Sequence, residues 1–140
     1  MQIKLAETDE AIDRCFAVMV QLRPQHSLES YRAAVARQMQ QGYRLAYVED
    51  GGDVCAVAGF RIDEMLHRGR AVYVDDLVTD AARRSQGYGD QLFDWLVEYA
   101  RINHCQEFHL DSGVQRFAAH RFYFRKRMAI SSYHFVLKLE

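Results

Sequence analysis

Apolar positions along the chain change period several times, and each change marks an element. Met1 to Leu5 alternates like a short strand, and Thr8 stands where a side-chain oxygen caps a helix whose Ile12, Cys15, Phe16, Met19 and Arg23 share one face. Pro24 ends that helix. Ser27 caps a second one, with Leu28, Tyr31, Val35 and Met39 in register and Gly42 placed to stop it. Two strand-like runs follow, Tyr43 to Val48 and Val54 to Ile62, joined by Glu49-Asp50-Gly51-Gly52-Asp53, which is hairpin chemistry. His67-Arg68-Gly69-Arg70 turns the chain into a further strand that ends at Val78. From Asp90 to His104 the period returns to 3.6, with Leu92, Phe93, Leu96, Val97 and Ala100 on one side. Glu107 to Asp111 reads as a fifth strand, Val114 to Lys126 as a helix and Ser132 to Leu139 as a last strand. The order βααβββαβαβ mixes hairpins with crossover helices, so it predicts an α/β fold with a mixed sheet flanked by helices.

Composition narrows the picture. The 140 residues, 49% of them hydrophobic, suit a single domain over 1–140 with one core. The one proline and the short glycine clusters leave no linker. A net charge of −1 argues against a dedicated nucleic-acid binder, which would need a basic surface, and no apolar run approaches bilayer length or resembles a leader. The expected partner is a small molecule, with no nucleic acid and no membrane; a homodimer is compatible with the sequence. Cys15, Cys55 and Cys105 are odd in number and lack Cys-x-x-Cys spacing, which fits a reducing cytoplasm.

The chemistry concentrates in Arg84-Ser85-Gln86-Gly87-Tyr88-Gly89, set between the strand ending at Val78 and the helix that follows. Two glycines separated by one residue let the main chain approach phosphate oxygens, and a helix N-terminus adds amides and a positive dipole end. Arg84, with Arg83 beside it, supplies a fixed cation. An ordinary strand-to-helix turn is the other reading of these glycines.

Arg-x-x-Gly-x-Gly after a strand, preceded by Leu77-Val78-Thr79, resembles the acetyl-coenzyme A signature of the Gcn5-related N-acetyltransferase (GNAT) superfamily. Downstream, members commonly carry Asn-x-x-Ala-x-x-Phe-Tyr-x-x-x-Gly-Phe. This chain keeps Ala119, Phe122 and Tyr123 at that spacing and departs at Arg116, Arg127 and Met128. Ala81 stands where a proline is usual. The resemblance implies a mostly antiparallel twisted sheet, acetyl-CoA as cosubstrate, and direct transfer of its acetyl group to a primary amine of a small molecule or of a protein. It places Leu77, Val78, Thr79, Arg84, Ser85, Gln86, Gly87, Tyr88, Gly89, Asp90, Ala119 and Phe122 at the coenzyme. It implies Tyr123 as the acid that protonates the leaving thiolate.

An amine at neutral pH is mostly ammonium and must lose a proton before it can attack a thioester, and Asp75 and Asp76 lie in the strand before the cradle. By resemblance a carboxylate there acts directly or through water, and Asp76 is the better-matched position. Successive strand residues point to opposite faces, so only one of the two faces the cleft unless a bulge intervenes. Asp63 and Glu64 add to a set that suits a cationic substrate. His104, Cys105 and His109 match no tetrahedral ligand spacing, and no metal is expected. Arg116, Arg121, Arg125, Lys126 and Arg127 form a run of cations without an acid. It is a solvated helix face, a contact to the 3′-phosphate of the coenzyme, or a nucleic-acid contact. A glycine at 127 would stop the helix in a left-handed conformation, so with arginine there the exit is expected to differ. The alternative to an enzyme is a coenzyme A-binding module that has lost transfer and serves regulation.

Overall fold

A computed structural model describes residues 1–140 and divides them into two compact units, Met1–His109 and Leu110–Glu140. The first holds a five-stranded sheet in the order β1-β2-β3-β4-β5, made of β1 (Gln2–Leu5), β2 (Arg44–Asp50), β3 (Asp53–Met65), β4 (Gly69–Thr79) and β5 (Glu107–Leu110). The pairs β1·β2, β2·β3 and β3·β4 are antiparallel. Helix α4 (Tyr88–Ile102) carries the chain from β4 to β5, and the expected α/β architecture is realised.

Alternation along the strands sorts the core into two layers. On one face Leu45, Tyr47, Val57 and Val78 cluster with Cys15, Val18 and Met19 and with Tyr31 and Val35. These come from α1 (Asp9–Arg14) and α2 (Phe16–Leu22), with Cys15 between them, and from α3 (Leu28–Met39). On the other face α4 contributes Leu92 and Leu96, both fully buried, and Phe60 of β3 meets Tyr99 edge-on at 5.2 Å. Each such leucine contributes roughly 1.5–3 kcal/mol over its exposed state.

Local signals explain most element ends. Thr8 Oγ accepts from the Ala11 amide at 3.1 Å, and Ser27 and Ser30 form a reciprocal capping box. The helix expected to run from Thr8 to Pro24 is interrupted at Cys15, whose N–H reaches back only to the Ile12 carbonyl at 3.2 Å, a tighter turn than the α-ladder. Strands β3 and β4 outrun their apolar patterns, because their pairing continues through Asp63↔Ala71 to Met65↔Gly69.

The second unit contains α5 (Phe117–Arg125), which begins three residues later than its apolar pattern. Its exit is left-handed, with Arg127 at φ 66°. The Met128 amide donates to the Tyr123 carbonyl at 3.1 Å and the Arg127 amide to that of Phe124 at 2.9 Å. This is the stop a glycine would make, so the exit does not differ; the two hydrogen bonds hold a residue with a side chain in that conformation. The strand expected over Ser132–Leu139 does not form. The segment joins no ladder, and a strand without a partner has nowhere to place its backbone hydrogen bonds except water.

Candidate active site

The face of the sheet beneath α2 and α3 carries a cavity of about 340 Å³. Its wall includes Arg23 and His26 from the end of α2 and the loop after it, Tyr31 from α3, Tyr43 just before β2, and Asp75 and Asp76 from β4. Arg23, Gln25 and His26, in the loop that leaves α2, all border it.

Both aspartates face it because β4 is bulged. Gly59 pairs with Asp76 while Phe60 pairs with Val74, leaving Asp75 as the extra residue. Tyr73, Asp75 and Asp76 therefore line the same cavity, which strict alternation forbids. The bulged residue's carbonyl is not orphaned, since Arg23 Nη2 donates to the Asp75 oxygen at 2.9 Å. Arg23 Nε donates to Asp76 Oδ1 at 2.8 Å. Pro24 shapes this contact by disfavouring helical geometry at the residue before it, and Arg23 leaves the helix at φ −119°, ψ 67°.

The other Asp76 oxygen, Oδ2, accepts from the Tyr43 hydroxyl at 2.7 Å. Tyr43 is buried, and burial followed by the Asp76 charge pushes its phenol well above the ordinary value. Asp75 is held by Arg61, with Nη2 donating to Oδ2 at 2.7 Å and Nε to Oδ1 at 3.2 Å. Burial raises the Asp75 carboxyl above its usual range, and the Arg61 guanidinium opposes that. Gly59 makes the arrangement possible, because a Cβ there would overlap the Tyr43 hydroxyl and Asp76 Oδ2. Tyr43, Gly59 and Arg61 escaped the sequence reading; a glycine inside a strand pattern was the one available signal, for close approach. Asp63 pairs with Arg68 at 3.4 Å, Glu64 is exposed, and neither lines this cavity.

The glycine cradle lies at the start of α4. Gly87 occupies the N-cap at φ 86°, and the first helical bond runs from the Gln91 amide to the Gly87 carbonyl at 3.0 Å, so the Tyr88 and Gly89 amides precede the ladder. A Cβ on Gly89 would stand 2.9 Å from Thr79 Oγ1, so α4 approaches β4 closely at this glycine. Arg84, Ser85 and Gln86 are exposed, Ser85 at φ 65°, and Asp90 lies in the first turn. Tyr88 ties the loop to β2 by donating to Asp50 Oδ2 at 2.6 Å, which lowers the Asp50 carboxyl. Gln21 of α2 clamps the preceding turn, its Oε1 accepting from the Ala81 amide at 2.9 Å. Leu77 and Val78 pair with Ala58 and Val57 on β3, one residue before the Thr79 that meets Gly89.

In the second unit, Ala119, Phe122 and Tyr123 are each half-buried on α5. The Tyr123 ring meets Phe122 edge-on at 5.6 Å, and burial raises its phenol, with Arg116 pulling the other way. Two of the cations in the arginine-rich run, Arg125 and Lys126, lie over the Phe122 ring at 5.8 and 5.9 Å.

A model of the acetyltransferase (GNAT) family matches residues 6–128, most of the chain and both motif regions. The chain belongs to the GNAT family. Among its relatives is the uncharacterized N-acetyltransferase YhdJ of Bacillus subtilis (strain 168), 31% identical over 137 residues and covering 96% of each chain. Solved structures share the fold at lower identity. AAC(6')-Iy in complex with the bisubstrate analog CoA-S-monomethyl-acetylneamine has a TM-score of 0.85 at 13% identity, covering 99% of this chain and 97% of that one. A Trypanosoma brucei acetyltransferase has a TM-score of 0.79 at 19% identity, covering 99% of both. As a GNAT acetyltransferase the chain is an acyltransferase that uses acetyl-CoA as cosubstrate. The cradle fits that group: a diphosphate needs bare amides, a close backbone and a cation, and Gly87, Gly89 and the exposed Arg84 supply them. No helix is long and apolar enough to cross a membrane.

Proposed function

We propose that this chain works as one N-acetyltransferase domain and transfers the acetyl group directly to a primary amine of a small molecule seated in the cavity beneath α2 and α3. The observation that carries this reading is the bulge in β4, which turns both Asp75 and Asp76 into one cavity. Its volume of about 340 Å³ suits a small ligand. The bisubstrate analog named for AAC(6')-Iy joins coenzyme A to an acetylated aminoglycoside fragment, which supports an amine acceptor on this fold. Two buried, unpaired cysteines suit a reducing cytoplasm as the site of action.

Acetyl-CoA supplies the activated acyl group as a thioester. Leu77, Val78, Thr79, the Arg84–Asp90 loop, Ala119 and Phe122 hold it, and the amides at the start of α4 neutralise its diphosphate. Asp76 receives the acceptor ammonium: its oxygens accept from Arg23 and Tyr43, and each keeps a lone pair for the amine or for a water that carries the proton away. Tyr123 gives its proton to the departing sulfur. Transfer from a phenol near 10 to a thiolate near 8.5 is uphill by roughly 2 kcal/mol from the ordinary values, so the hydrogen bond itself carries much of the assistance.

Thiol release from acetyl-CoA against a panel of amines tests the reading. Turnover of none of them, by protein that binds acetyl-CoA, removes it. With a turned-over amine, Tyr123→Phe lowers kcat roughly ten- to a thousandfold at unchanged coenzyme affinity. Asp76→Asn loses most rate at low pH and recovers part of it near pH 10, about where a lysine-like amine deprotonates unaided. An equal loss at every pH would show that the carboxylate only positions the amine.

A further inference from the structure

The fixed charges at the acceptor cavity cancel. Asp75 and Asp76 bring two negative charges, and two guanidinium groups meet them, Arg61 Nη2 on Asp75 Oδ2 at 2.7 Å and Arg23 Nε on Asp76 Oδ1 at 2.8 Å. Asp63 and Glu64, which would tip the balance toward acid, lie off this wall. An acceptor with several ammonium groups would therefore leave all but the first without an anion. The two arginines differ in what they can still donate. Arg61 does not line the cavity; it closes on both Asp75 oxygens and donates from Nη2 to Gln38 Oε1 at 3.3 Å. Arg23 lines the cavity with 40% of its side chain exposed. It donates from Nε to Asp76 and from Nη2 to the Asp75 carbonyl, while its Nη1 donates to nothing in the protein. The wall thus sets a carboxylate with free lone pairs beside a cation with free donors.

We propose that the acceptor is an α-amino acid with an uncharged side chain, its ammonium on Asp76 and its carboxylate on Arg23. This narrows the transferase reading above and rests on it. Asp76 and Arg23 touch, so a ligand that answers both must carry its own two charges equally close together, which an ammonium and a carboxylate on one carbon do. Each charge of the acceptor then meets its opposite through a charge-assisted hydrogen bond, and the cavity stays neutral when filled. Beyond this pair the wall turns apolar. Met19, Tyr31 and Val35 line it and are buried, and the Tyr31 hydroxyl is turned away, donating to the Ile12 carbonyl at 2.6 Å. A volume of about 340 Å³ admits an amino acid with a side chain such as that of leucine or methionine. Arg23 is thereby a specificity residue as well as a support for Asp76.

Thiol release from acetyl-CoA, measured on the uncharged α-amino acids and on the methyl ester of each, tests the assignment. The ester keeps the shape and loses the carboxylate charge, and its less basic amine is the easier to deprotonate, so a preference for the acid cannot come from the amine. The wild-type protein is expected to show kcat/KM roughly ten- to a hundredfold higher for the acid, as a hydrogen bond to a charged group implies. Arg23→Gln is expected to shrink that acid-to-ester ratio about tenfold or more, and Arg23→Lys to keep part of it. The ratio cancels any loss common to both substrates from a displaced Asp76. An equal loss on acid and ester in Arg23→Gln would overturn the proposal, since Arg23 would then only support Asp76. Wild-type preference for the esters, for polyamines or for aminoglycosides would also overturn it and leave the transferase reading standing. Turnover of no amine, by protein that binds acetyl-CoA, would remove both.

Discussion

Gly59 sets the geometry of the acceptor cavity although it has no side chain of its own. Its missing Cβ leaves the volume in which the Tyr43 hydroxyl meets Asp76 Oδ2. Gly59→Ala therefore separates that pair or shifts β3, at a cost of about 1–3 kcal/mol of the kind seen on overpacking a core. Urea denaturation reads the stability loss, and turnover reads the displaced carboxylate. Among the candidate residues, the sequence placed Asp76 correctly on the strand before the cradle. The engagement of both its oxygens was not legible, because Arg23 and Tyr43 are 53 and 33 positions away from it along the chain. Both aspartates reach the cavity through a bulge, a one-residue irregularity that apolar alternation cannot encode.

At the scale of elements, the ends of α4 and α5 carry opposite lessons. Gly87 at the start of α4 takes the left-handed conformation its residue type permits, whereas Arg127 at the end of α5 takes it at a cost of about 1 kcal/mol. Arg127→Gly is expected to raise unfolding free energy by about that amount, less a few tenths for the added freedom of the unfolded chain. Chemical denaturation measures it, and an unchanged or lowered midpoint would show that the arginine side chain makes a compensating contact. The resemblance to the family marked this position as a departure; only the backbone showed that the exit is kept despite it.

For the whole molecule, coenzyme binding appears as stability. Acetyl-CoA at a hundred times its dissociation constant adds about 2.7 kcal/mol to the native state, and a calorimetric or fluorescence melt records the rise. Gly89→Val pushes a side chain toward Thr79 Oγ1, which a Cβ alone would already approach to 2.9 Å, so the rise is expected to shrink strongly in that variant while its fold persists. A full shift retained in both Gly87→Val and Gly89→Val would show that the two glycines are only a turn.

The sequence by itself determined the order of elements, the caps at Thr8 and Ser27, the hairpin between β2 and β3, and the cradle before α4. Each of these depends on residues close together in the chain, where periodicity and a single glycine or hydroxyl decide the local energy. Tertiary structure decided the rest. The bulge that turns two aspartates into one cavity, the arginines that hold them, and the failure of Ser132–Leu139 to form a strand all depend on what a segment meets across the fold. A strand pattern specifies which face is apolar; only a partner strand can satisfy its backbone.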